Sequence, residues 1–187
     1  MKKVLIALGA VALVVVILII ACVGQYNGLV KAEISVDESW AQVENQLKRR
    51  ADLVPDLVKV ANKYAIHEKD VIQNVSDARA KMAGAATSDE AIVAARELDS
   101  TLSRLLVVME AYPELKADGT YSKLMDEMAG TENRIAVARK DFNEEVGDYN
   151  KKIRTFPGNI IAGWFGFAPH WFYEAPEEDL EKPEYDL

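Results

Sequence analysis

At 187 residues, the chain has room for one domain of ordinary size beside its N-terminal segment. Its formal charge of −8 is concentrated at one end, because Glu174–Leu187 holds seven acidic residues against Lys182 while the remainder is close to balanced. Without a basic stripe, phosphate neutralisation cannot drive association, so nucleic acid is excluded as the expected partner. The one cysteine, Cys22, excludes an intrachain disulfide.

The chain opens with MKKVLIALGAVALVVVILIIACV. From Val4 to Val23 it carries no charge, and Gly9 is the sole residue outside the apolar set. Twenty helical residues span about 30 Å, the thickness of a bilayer's hydrocarbon core, so residues 1–24 are expected to anchor the chain as a transmembrane helix. Lys2, Lys3 and the α-amine precede the run, and Lys31 alone follows it closely. The positive-inside rule therefore puts the N-terminus in the cytoplasm and the rest of the chain outside the inner membrane. Ile19-Ile20-Ala21-Cys22 also has the form of a lipoprotein signal. Cleavage before Cys22 would replace the span with acyl chains. The apolar run is long for a signal peptide, which favours the uncleaved span.

Between Gly24 and Ala32, GQYNGLVKA reads as the exit from the bilayer, with Tyr26 at headgroup depth. Gly24 and Gly28 form a G-x-x-x-G pair, which reads first as flexibility and second as a contact between two membrane helices. Residues 25–156 are expected to form an all-α, antiparallel, up-and-down four-helix bundle. Val36, Trp40, Val43, Leu47 and Ala51 make the first amphipathic stripe, which either restarts at a Ser35/Glu38 capping box or continues from the membrane. Asp52 is a good N-cap and Pro55 suits a first helical turn, so a turn is expected at about Ala51–Leu53, with a mere kink as the alternative. A second stripe runs from Val54 through Val58, Ala61, Ala65, Ile72, Val75, Ala78 and Met82 to the Gly84-Ala85-Ala86 loop. Thr87 and Glu90 cap a third helix carrying Ile92, Ala95, Leu98, Leu102, Leu105, Leu106 and Met109, which stops before Pro113. After the Asp118-Gly119-Thr120 turn, the fourth stripe is Tyr121, Leu124, Met128, Thr131, Ile135, Ala138, Phe142, Tyr149, Ile153 and Phe156. Four passes that start at the membrane return the chain to it.

Residues 157–173 are aromatic and glycine-rich. In one reading Ile160, Ile161, Trp164, Phe165 and Phe167 seal the open end of the bundle. In the other, Trp164, Phe165, Trp171, Phe172 and Tyr173 join Tyr26 in the headgroup layer, as Trp and Tyr favour. Residues 174–187 form an acidic, proline-punctuated tail with the composition of disorder.

The chemistry-bearing motifs are missing from the sequence. Neither His67 nor His170 follows a Glu by three, which excludes a di-iron carboxylate bundle. There is no H-E-x-x-H, no G-x-S-x-G and no phosphate-cradling glycine loop. No catalytic residue, cofactor or metal is therefore expected, and His67 beside Glu68 reads as a solvated pair. Lys48, Arg49 and Arg50 with Asp52 form the best polar cluster, read as a salt-bridged turn or as a docking site for an acidic partner.

Several motifs together resemble the LemA family. They are Tyr26-Asn27-Gly28-Leu29-Val30, Trp40 with Val43 and Gln46, Arg49-Arg50-Ala51-Asp52-Leu53-Val54-Pro55-Asp56-Leu57-Val58, and Tyr64 with His67-Glu68-Lys69. Thr131-Glu132-Asn133-Arg134-Ile135, Tyr149-Asn150 and Phe156-Pro157-Gly158-Asn159-Ile160-Ile161-Ala162-Gly163 with Phe165-Gly166-Phe167 continue the match. The resemblance implies one N-terminal membrane helix and a soluble four-helix bundle, with no enzyme activity or cofactor. Some relatives take part in membrane organisation. The family has also been assigned an extracellular N-terminus, which conflicts with Lys2 and Lys3. Asp56 stands where the pattern commonly has Asn, and a lipid-modified cysteine at the position of Cys22 is not usual.

The sequence thus leads to a non-enzymatic scaffold or adaptor of the bacterial envelope, bound to membrane lipid and to envelope proteins and able to self-associate. A peripheral membrane-remodelling protein acting through Pro157–Tyr173 is the alternative. Intact-mass measurement on the purified protein is expected to return the uncleaved chain. A mass lacking Met1–Ala21 and carrying acyl chains would assign Cys22 as a lipid attachment point instead.

Overall fold

The computed structural model describes residues 2–64 and 68–173. Among them there is no strand: the elements are α1 (Lys2–Lys63), α2 (Lys69–Gly84), α3 (Ser88–Glu110), α4 (Pro113–Lys116), α5 (Gly119–Arg154) and α6 (Gly158–Phe165). They group into a terminal unit, Met1–Trp40 with Arg139–Leu187, and a central unit, Ala41–Ala138. The expected tail at 174–187 and His67 both lie outside the described residues.

Helix α1 begins as a rod that is apolar on every side. Its most apolar stretch has a mean hydropathy of 3.3 and none of it is buried. A core helix of a soluble protein would be covered by its own fold. This one is long and apolar enough to cross a membrane. The pattern changes at Leu29: Leu29, Ala32 and Val36 are buried at steps of three and four, with charged and polar side chains between them. No break accompanies the change. Gly24, Gly28 and Ser35 all lie inside α1, so neither a flexible exit nor a helix restart occurs there. A helix-interior glycine costs only about 1 kcal/mol, too little to interrupt a long cooperative ladder.

The turn expected at Ala51–Leu53 is also absent, and α1 continues through Pro55 to Lys63. Proline at 55 cannot donate to the carbonyl of Ala51, four residues earlier. That carbonyl instead accepts from Arg79 Nε on α2 at 3.2 Å. Asp52 is not an N-cap; its carboxylate stands 3.8 Å from the same guanidinium. One arginine therefore replaces the missing ladder bond from outside the helix. The first boundary falls after Lys63 rather than at residue 51, which splits the expected second helix between α1 and α2.

Within the central unit, α2 buries Val75, Ala78 and Met82, and α3 buries Ala91, Ala94, Ala95, Leu98, Leu102, Leu105 and Met109. The small residues at the start of α3 permit close approach to α2, and Lys81 pairs with Glu97 between the two helices. The Thr87 hydroxyl accepts from the Glu90 N–H at 3.2 Å, while Glu90 accepts from the Ala86 N–H at 2.8 Å. The first bond satisfies a donor that the first turn leaves open, and the second ties Glu90 back to the residue before the cap. Pro113 starts α4 rather than extending α3. Helix α1 is antiparallel to α5 in this unit: Arg50 reaches Glu132, and farther along α1 Lys63 reaches back to Asp118. The α5 stripe is buried from Tyr121 to Ile153, with Val146 added to the expected set. Phe156 lies past the end of α5 and is 80% exposed, contrary to the expected stripe.

In the terminal unit, α6 folds back after α5. A Cβ on Gly158 would strike the carbonyl oxygen of Lys152, so the return requires glycine there. Gly166 ends α6 at φ 80, a left-handed conformation suited to glycine, and the N–H groups of Gly166 and Phe167 both bond the Ala162 carbonyl.

Substituting Arg79→Met should cost about 1–2 kcal/mol, the penalty of leaving a covered carbonyl without a donor. The same change in a Pro55→Ala background should cost clearly less, because residue 55 then supplies the N–H. A thermal or urea double-mutant cycle measures the difference, and equal costs in both backgrounds would contradict the bridging role.

Candidate interaction sites

The basic cluster divides when its surroundings are built. Arg50 is turned inward, 13% exposed, with one guanidinium nitrogen 2.8 Å from Asp99 on α3 and 2.6 Å from Glu132 on α5. That residue ties three helices of the central unit together. Lys48 and Arg49 project to solvent on the other side of α1, and exposed Asp52 faces Arg79. Of the four residues singled out from sequence, Lys48 and Arg49 are exposed without facing Asp99, Glu132 or Arg79.

A second ionic knot closes the α1 C-terminus. The Asp118 carboxylate, 8% exposed, accepts from Lys63 Nζ and Tyr64 Oη, both at 2.7 Å. Its other oxygen accepts from the Thr120 N–H at 2.7 Å, capping α5. The bonds from Lys63 and Tyr64 hold the Asp118 carboxyl well below its ordinary range, and the same contacts raise Lys63 and Tyr64.

The aromatic segment also divides. In the terminal unit Tyr26 stacks against Phe165 and Phe167, with ring centroids 4.7 and 5.8 Å away. Trp171 packs on Trp40 and Phe142, at 5.2 and 5.0 Å. Tyr173 is buried beneath the Arg139 guanidinium, 4.6 Å from its ring, and so cannot face a headgroup layer. Ile161 covers the interior, as the sealing reading expects, and Ala162 joins it, whereas Ile160, Trp164 and Phe165 remain exposed. The segment therefore contributes only part of itself to the interior.

Sequence reasoning missed what fixes this segment. Asn150 on α5 accepts from the His170 N–H at 2.9 Å and donates to the His170 carbonyl at 2.8 Å. Seven residues earlier, Asn143 treats Tyr173 identically, at 2.7 and 3.0 Å. Each amide imitates one rung of a sheet, gripping both backbone groups of an extended residue. Tyr149 adds a bond from its hydroxyl to the Ala168 carbonyl at 3.0 Å. Burial, with Glu33 nearby, raises the Tyr149 pKa and keeps that donor protonated. Two amides seven apart on an otherwise apolar stripe were the available signal.

Among the described residues no group of three His, Cys, Asp or Glu side chains is arranged to hold a metal. A polar groove of about 590 Å³ lies between α2 and α3, lined by Asn74, Asp77, Lys81, Glu97, Thr101 and Arg104. Lys81 and Glu97 are already paired across it.

Comparison with known proteins follows the same residues. The family model described as LemA family matches residues 39–186. The chain belongs to the LemA family. Among curated relatives it is similar to Magnetosome protein MamQ 2 of Paramagnetospirillum magneticum, 26% identical over 169 residues, covering 76% of this chain and 62% of the relative. Magnetosome protein MamQ of Magnetospirillum gryphiswaldense is 25% identical over the same coverage. Protein LemA of Metamycoplasma hominis is 23% identical over 141 residues, 75% of this chain and 64% of the relative. The chain thus spans a little under two thirds of the length of these LemA-family relatives.

Two substitutions separate the inward arginine from the outward one in this LemA-family chain. Arg50→Met should lower stability by about 1–2 kcal/mol, since its carboxylate partners are part-exposed and screened, whereas Arg49→Met should leave it unchanged. Asn150→Leu should destabilise by about 1–3 kcal/mol through the two backbone groups it strands. For Asp118 the sign follows from its depressed pKa. Its contribution is complete above the unfolded carboxyl's value of about 3.9 and is lost as pH falls towards the lower folded value. Asp118→Asn should therefore lower the melting temperature at pH 7, and its deficit against the parent should shrink below pH 4. A deficit constant with pH would contradict that ionic role.

Proposed function

We propose that the protein is a membrane-anchored, non-enzymatic scaffold or adaptor of the bacterial envelope. The observation that carries this reading is the change of surroundings within α1. The uncovered apolar stretch and the buried stripe beginning at Leu29 belong to one helix. Anchor and body are therefore joined without a linker. In the central unit, the passes of α1, α2, α3 and α5 compose an antiparallel, up-and-down four-helix bundle. Its support is the α1–α5 pairing, the α2–α3 hairpin and the reach of Arg79 back to Ala51. The N-terminus faces the cytoplasm and the body lies outside, following Lys2 and Lys3. Likeness to magnetosome proteins and to LemA supports a role in an assembly rather than in turnover of a small molecule. Lys48 and Arg49 provide the docking surface for an acidic envelope partner.

The exposed aromatics favour a second reading, in which the protein acts on lipid packing itself. Vesicles that keep their shape under increasing loads of the full-length protein, seen by electron cryomicroscopy, would remove that reading.

Whole-cell crosslinking mass spectrometry, with protease added to spheroplasts, tests the first. A scaffold with the assigned orientation should be found in the membrane fraction, lose its body to external protease, and give crosslinks to envelope proteins that Lys48→Glu/Arg49→Glu weakens. Recovery in the aqueous fraction, or a body protected from protease, would contradict it.

A further inference from the structure

Helix α6 carries no charged side chain, and Asn159 in its first turn is its one polar residue. Gly158, Ile161 and Ala162 form its buried inner face, while the outer face carries Asn159, Ile160, Gly163 and Trp164. A helix whose outer face is apolar beyond its first turn favours an apolar setting on that face as well. Yet Trp164 is 73% and Phe165 61% exposed, as is Phe156 in the turn that precedes α6. No charged residue occurs from Phe156 to Pro169. Immediately before this stretch, the last turn of α5 carries Lys151, Lys152 and Arg154, all exposed.

The position of this patch identifies what covers it. Phe165 and Phe167 stack on Tyr26, and Tyr26 lies three residues beyond Val23, the end of the apolar run. At 1.5 Å per residue that is about 5 Å of helix, the depth of a headgroup layer. The exposed apolar surface of α6 is thus continuous with the exposed apolar surface of α1. A basic turn above an apolar, aromatic edge is the arrangement of an element lying in the boundary of an anionic bilayer.

We infer that α6, with Phe156, is a second membrane contact, seated shallowly in the lipid interface beside the α1 span. Phe156, Ile160, Trp164 and Phe165 enter the upper acyl region, and Lys151, Lys152 and Arg154 meet lipid phosphates. A second attachment point fixes the rotation of the terminal unit about α1, which a single span leaves free. This inference rests on the reading that α1 crosses the membrane.

Tryptophan fluorescence of the full-length protein in phosphatidylcholine/phosphatidylglycerol vesicles with brominated acyl chains tests it. Part of the emission should be quenched, most strongly by bromines near the headgroup. Trp164→Phe should abolish that part, because Trp40 and Trp171 are packed against each other in the body. Quenching that survives Trp164→Phe, or a co-floating protein without quenching, would overturn the seat of α6 while leaving the span intact. Failure to float with the vesicles would instead overturn the span. Trp164 shielded from both bromine and aqueous iodide would show a second copy covering α6, which also overturns the inference. Because Trp164 is exposed, its replacement should leave the far-ultraviolet helix signal unchanged, and Trp164→Arg should reproduce the loss.

Discussion

The terminal unit depends on one unbroken ladder of backbone hydrogen bonds, that of α1 as it passes from a stretch nothing covers to a stretch the body buries. In a bilayer every backbone polar group must be satisfied internally, and a helix meets that requirement without partners. The same ladder continues unchanged into the stretch whose stripe is buried, so one element suits both settings. What changes is the side-chain pattern: apolar all round to Val23, one-sided from Leu29. Gly24 and Gly28 sit in the transition without interrupting it.

Such a long helix has two weak points, and each is handled by a group distant in sequence. Pro55 removes a donor, and Arg79 returns one to the Ala51 carbonyl. The C-terminal end at Lys63 is held by Asp118, which caps α5 with one oxygen and gathers Lys63 and Tyr64 with the other. In the terminal unit Asn143 and Asn150 do for an extended strap what Arg79 does for the proline, supplying from a side chain the partners that regular secondary structure would have provided. The strap is thereby fixed, and Trp171 reaches Trp40 and Phe142.

Features set by neighbours in the sequence could be read from it. The apolar run, the α3 and α5 stripes, the Thr87–Glu90 box, the stop before Pro113 and the Asp118 turn all follow from spacing within a few residues. The LemA resemblance was legible for the same reason, as runs of adjacent residues. Where a local rule failed, a distant group overrode it. Asp52-x-x-Pro55 has the form of a helix start, and Arg79, 28 positions after Ala51, supplies the donor that Pro55 lacks. The polar run His67-Glu68-Lys69-Asp70, which leaves a gap in the second stripe, was the better boundary signal. The inward turn of Arg50 and the burial of Tyr173 depend on Asp99, Glu132 and Arg139, which no spacing rule connects to them.

The rest depends on the continuity of α1 from its uncovered apolar stretch to its buried stripe, and a distance measurement reaches that continuity directly. Nitroxides introduced by Val14→Cys and Asp37→Cys in a full-length Cys22→Ala protein, reconstituted in bilayers, would stand about 35 Å apart along one helix of 1.5 Å rise. Double electron–electron resonance should return a single narrow distribution at that separation. A broad or markedly shorter distribution would place a hinge at Gly24–Gly28 and contradict a helix shared by anchor and body.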